Sequence, residues 1–99
     1  MTEQERRQYL KDFGNRVKSY RKAIGMTQGE LALKMGYVDG KNPSANVSKI
    51  ERGLMELGQS KIAELAEALQ IEPYELFTDP TTSRLVRYAK EMSNMKGGD

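Results

Sequence analysis

The chain reads as an all-α protein, five short helices followed by an additional C-terminal one, and three observations predict this. Leu10, Phe13, Val17, Tyr20 and Ile24 recur at steps of three and four, the stripe of a one-sided helix. Ile62, Leu65, Ala66 and Leu69 trace a second such face. Between them, Thr27 and Glu30 stand in the T-x-x-E spacing of a capping box, where each side chain satisfies the other residue's free backbone N–H.

Taken in order, residues 1–11 form a charged N-terminal segment. Thr2 and Glu5 repeat the capping-box spacing, so a helix is able to begin there and run on. A basic arm carrying Arg6 and Arg7 to phosphates competes with a plain terminal turn or disorder, and the plainer readings weigh more. Gly14 weakens the first long helix by about 1 kcal/mol relative to Ala. It marks either the close approach of another helix or a break in the chain. Gly25 ends that helix, whose remaining face carries Arg16, Lys18, Arg21 and Lys22, read as solvated. Met26 and Leu31 flank the Thr27 box where a hydrophobic staple sits, and Leu31, Ala32 and Met35 give the second helix its apolar side. Gly36 stops it.

A polar loop over 37–42 contains a D-G turn signal, and Leu33 is read as packing against Tyr37 or Val38 of that loop. Asn42-Pro43 then restarts a helix with a cap and a first-turn proline. Val47 and Ile50 are its only buried-looking positions; Ser44, Ala45, Asn46, Ser48 and Lys49 point elsewhere. Two short helices in series, the second small or polar at most positions, are a helix-turn-helix pattern. Leu54 is read as buried in the connector that follows. The fourth helix starts near Gly58–Ser60, and Pro73 opens a fifth that offers Leu76 and Phe77 to the core. Asp79-Pro80 or Ser83 caps a last helix in which Leu85, Tyr88, Met92 and Met95 are spaced like a short coiled-coil seam. We read that seam as a dimerisation surface, the alternative being that it folds back on its own domain. The organisation is therefore a charged segment over 1–11, a domain over 12–78 and a C-terminal helix with a frayed tail over 79–99.

Composition removes several functions. The 99 residues contain neither Cys nor His, which leaves no disulfide framework, no Ser-His-Asp or Cys-His mechanism and none of the usual zinc donors. No enzyme activity, cofactor or metal site is expected. Mean hydropathy is −0.72 and no run approaches the roughly 18 apolar residues of a membrane span, so no membrane partner is expected either. No signal-peptide pattern is present, which points to the cytoplasm. The net charge of +2 conceals a polarity: residues 1–35 hold eight basic and four acidic side chains, residues 60–80 one and five. The basic end suits a polyanion, although charge alone favours ordinary solvated faces.

From about Phe13 to Phe77 the chain resembles the Xre/Cro-like helix-turn-helix domains of the phage lambda repressor type. The residues that carry the resemblance are R-V-K-S-Y-R-K at 16–22, T-Q-G-E-L-A at 27–32, S-K-I-E-R-G at 48–53, I-A-E-L-A-E-A-L at 62–69 and P-Y-E-L-F at 73–77. The resemblance implies a five-helix lambda-repressor-like DNA-binding domain. It implies an architectural ion pair between Arg21 and Glu51, and a phosphate contact by Gln28, which also braces the reading helix; Thr27 caps the second helix, whose free N–H groups and dipole at Thr27 and Gln28 suit a phosphate. Base-reading positions fall on Ser44, Ala45, Asn46 and Lys49, with Ser48 near the backbone. Asn pairs bidentately with adenine and Lys donates to guanine, so the chemistry fits. The 37–42 loop is about five residues longer than the family's turn, which brings Lys41 and Asn42 within reach of phosphate or a groove edge and bears on the register of Ser44 and Ala45 more than on that of Lys49.

The function implied is sequence-specific binding of double-stranded DNA by a homodimeric repressor of phage or mobile-element type on an inverted-repeat operator. The alternative is an antitoxin-type DNA-binding protein whose last helix covers a toxin-like protein partner.

Overall fold

The computed structural model describes residues 1–37 and 42–78. Among them stand four α-helices, α1 (Glu3–Ala23), α2 (Gln28–Lys34), α3 (Ser44–Glu51) and α4 (Gln59–Leu69), then a 3₁₀ helix (Pro73–Phe77) and no strand. The class is all-α as expected, but the fifth helix is a single 3₁₀ segment rather than α. Pro73–Phe77 is only five residues long, the length at which i→i+3 bonding is common.

Both expected capping boxes form. The Thr2 hydroxyl accepts the Glu5 N–H at 3.1 Å while the Glu5 carboxylate accepts the Thr2 N–H at 2.8 Å. Thr27 and Glu30 repeat this at 3.0 and 2.8 Å. These bonds, first to the threonine N–H and then to its hydroxyl, hold both carboxyls below the usual glutamate range. With the first box in place, α1 runs unbroken through residue 11, so the charged segment is the first turns of α1 rather than an arm. Arg6 on those turns pairs with Glu56 of the connector after α3.

The core is Phe13, Val17 and Tyr20 of α1, Leu31 and Ala32 of α2, Met35 just beyond it, Val47 and Ile50 of α3, Leu65, Ala66 and Leu69 of α4, then Ile71 and Leu76. Each such large side chain stabilises by about 1.5–3 kcal/mol on burial. α3 packs against both α1 and α2, and the 3₁₀ helix closes over α4 and α1. Gly14 is the close approach: a Cβ there would lie 2.4 Å from the Ile50 carbonyl oxygen and 2.5 Å from that of Glu51. Gly53 combines a φ of +75° with a similar proximity, its Cβ position being 2.9 Å from the Lys11 backbone nitrogen. Two glycines thus seat α1 against the C-terminal half of α3.

Three apolar residues are not where the sequence pattern put them. Leu54 is 65% exposed, because the backbone N–H after Gly53 turns back to the Lys49 carbonyl (2.8 Å) to close α3 and aims the side chain outward. Leu33 is 59% exposed on α2, on the rim of a shallow surface depression with Ile24, Met26 and Lys34. Phe77 is 41% exposed and lies at the edge of the core, its ring stacked on Tyr9 at 6.4 Å and tilted against Phe13 at 5.4 Å. The seam Leu85, Tyr88, Met92 and Met95 lies outside the described residues, as does Val38. No helix among the described residues is long and apolar enough to cross a membrane.

Candidate nucleic-acid interface

The site is built around one buried cluster. Arg21 of α1 donates through Nε to Glu51 Oε2 (2.6 Å) and through Nη2 to Oε1 (3.1 Å), a bidentate pair with both residues 7% exposed. A third guanidinium nitrogen, Nη1, donates to the Met26 carbonyl at 2.8 Å. Gln28, first residue of α2, donates through Nε2 to Glu51 Oε1 at 3.0 Å. Two other elements therefore converge on one carboxylate of α3, and this helix is held in rotation and in depth. The expected ion pair and the expected brace from Gln28 form together, which removes Arg21 from the solvated face of α1. Among the described residues no buried side-chain nitrogen or oxygen lacks a partner.

With Val47, Ile50 and Glu51 turned inward, the rest of α3 sorts itself by helical rotation. At about 100° per residue, Ala45, Ser48, Lys49 and Arg52 share an outward arc of about 100°, and Lys49 and Arg52 are exposed. Asn46 stands at the flank of that arc. Ser44 is drawn aside, its hydroxyl donating to Asn42 Oδ1 at 2.6 Å. The start of α3 departs from the expectation of an asparagine cap. Pro43 occupies the cap position in αR conformation without a side-chain bond, and the Asn42 and Pro43 carbonyls accept the Ala45 and Asn46 N–H groups. Asn42 is spent on Ser44 instead. Arg52 was not among the expected contacts; its place one turn beyond Ser48 and Lys49 was the available signal.

Thr27 caps α2 and is exposed beside Gln28. On the near side of the long loop, Tyr37 is tied down. Its N–H donates to the Ala32 carbonyl at 2.9 Å, and Lys61 of α4 sits 4.6 Å over its ring while donating to the Met35 carbonyl at 3.2 Å. Lys41 lies outside the described residues.

A buried arginine–glutamate pair, braced by a half-buried glutamine, locks a short polar helix against its partner, the arrangement of a helix-turn-helix domain. The helix-turn-helix family model matches residues 17–76, and the chain belongs to that family. In structure it is similar to the restriction-modification controller protein C.AhdI from Aeromonas hydrophila, with 40% identity and a TM-score of 0.61 over 69% of this chain and 96% of that one. No curated protein sequence matches the chain. The protein is a DNA-binding transcription regulator of the Xre and lambda-repressor type.

Proposed function

We propose that the protein binds double-stranded DNA sequence-specifically as a homodimer, on an inverted-repeat operator, and represses transcription in the bacterial cytoplasm as a controller of restriction-modification genes. The observation that carries this reading is the outward arc of α3, Ala45, Ser48 and Lys49 with Asn46 at its edge, on a helix whose orientation is set by the Arg21–Glu51–Gln28 cluster. Lys49 supplies a donor for guanine O6/N7, Asn46 a donor–acceptor pair for adenine, and Ala45 a small apolar surface for a thymine methyl. The similarity to a restriction-modification controller supports the regulatory assignment. The role is binding rather than catalysis.

In a dimer the two reading helices enter successive major grooves about 34 Å, or about 10 bp, apart. The apolar seam of the C-terminal segment is the surface we assign to pairing. Selection from a random duplex pool tests the reading, with the mass of the protein–DNA complex measured on the enriched sequence. An inverted repeat with half-sites about one helical turn apart, bound by two chains, is the expected result. An enriched site bound by one chain would remove the dimer, and no enrichment at all would remove sequence-specific recognition.

A further inference from the structure

Along α1, Arg7, Lys11, Asn15, Lys18 and Lys22 follow one another at steps of four, four, three and four. On a helix these steps keep all five within an arc of about 80°. All five are exposed. Arg7 alone has a carboxylate partner among the described residues, Glu3 at 3.6 Å. No acidic residue of α1 falls within the arc. The row spans about 22 Å at 1.5 Å per residue.

This row borders the reading helix. Lys11, Asn15 and Lys18 form one wall of a cleft of about 460 Å³, and Gln28, Ser48, Glu51 and Arg52 form the rest. Glu51 is the one carboxylate in the lining, and its oxygens are already engaged by Arg21 and Gln28. Ser48 and Arg52 belong both to this cleft and to the outward arc of α3, so the basic surface is continuous from Lys49 and Arg52 across to Lys11 and Lys18. It is also rigidly placed, because Gly14 and Gly53 seat α1 directly on the α3 backbone. Lys11 and Asn15 lie before the first residue matched by the family model.

We propose that this face of α1 is a second DNA-binding element, which holds the phosphates flanking the half-site and extends the footprint beyond what α3 reads. The proposal rests on the DNA-binding reading of α3. The cleft is polar and cationic, continuous with the base-reading arc and fixed to it, which is what a phosphate backbone leaving the major groove requires. Phosphate contacts carry no sequence information themselves but add affinity and a steep salt dependence.

The test uses the full chain and an enriched duplex from the random pool, with and without about one helical turn (about 10 bp) of flanking sequence on each side. The Lys11→Gln/Lys18→Gln double variant is compared with the parent, and Lys34→Gln, on the α4 side of α2, serves as a control. On the flanked duplex the salt slope of the double variant should shrink by about 3.6, since two lysines from each of the two chains are lost and each phosphate contact contributes about 0.9. Between 50 and 200 mM salt the parent then loses about 150-fold more affinity than the variant. The difference should disappear on the trimmed duplex, and base preference should stay unchanged in every case. Equal slopes for parent and variant on the flanked duplex would overturn the proposal and leave the reading of α3 intact. Failure of the parent to bind any duplex would overturn both. A shift in base preference in the double variant would also overturn it, placing these lysines over bases rather than phosphates.

Discussion

Glu51 is the residue on which the domain's geometry turns, since two other elements reach it and nothing else on α3 fixes the helix's rotation as tightly. A bidentate arginine–carboxylate pair in this setting is close to neutral as a whole pair against apolar replacements, yet breaking it from one side leaves a buried charge unmatched. Arg21→Ala should therefore cost about 3–5 kcal/mol of folding stability in urea denaturation, a large share of the total for a small domain. A cost below 1 kcal/mol would mean that water reaches Glu51 and that the cluster does not set α3. At the surface, Asn46→Ala or Lys49→Ala should leave stability nearly untouched. Each should weaken binding to the selected site by about 1–3 kcal/mol, with preference relaxed at one base pair. Unchanged affinity and preference in Asn46→Ala would show that the flank of the arc does not meet bases.

Helix α1 owes its position to what Gly14 lacks. Replacing glycine by alanine inside a helix ordinarily gains about 1 kcal/mol. Here the added methyl meets two backbone carbonyl oxygens of α3, and backbone has no rotamer to yield, so the overpacking penalty sits at the upper end of about 1–3 kcal/mol. The net prediction for Gly14→Ala is a loss of about 2 kcal/mol, the difference between those two effects. A more stable Gly14→Ala variant would mean that α1 and α3 separate without consequence. Sequence spacing alone left Gly14 open between a helix contact and a break, because both use the same residue type.

For the whole molecule, the two capping boxes predict an acid-sensitive fold. The Glu5 and Glu30 carboxyls titrate lower in the folded chain than in the unfolded one. Their contribution is therefore fully present above the ordinary glutamate value and is lost as pH falls through the lower folded values. Melting temperature should decline as pH drops below about 4.5, the usual glutamate value. In the Glu5→Gln/Glu30→Gln variant that part of the decline should be smaller, because glutamine keeps the N3 acceptor without a titrating proton. Identical acid profiles for the two proteins would show that other carboxylates govern the decline. The charge polarity read from the sequence also acquires a shape at this scale. The basic surplus lines one face of α1 beside α3, and the acidic surplus lies on α4 and the 3₁₀ helix.

Periodicity and capping chemistry are properties of neighbouring residues, and so α1, α2, α4, both threonine caps and the inward turn of Val47 and Ile50 were legible in the chain itself. The Arg21–Glu51 pair and Gln28 as brace were legible only through likeness to a family, since nothing local joins residues 30 positions apart. Tertiary packing alone decided the rest. It exposed Leu54 and Leu33, left Phe77 half in and half out, spent Asn42 on Ser44 rather than on a cap, and kept the fifth helix to a 3₁₀ segment. It also set the lysines of α1 beside Arg52. The physical reason is the same in each case: a hydrophobic or charged side chain states a preference, but which partner satisfies it depends on how the elements close against one another.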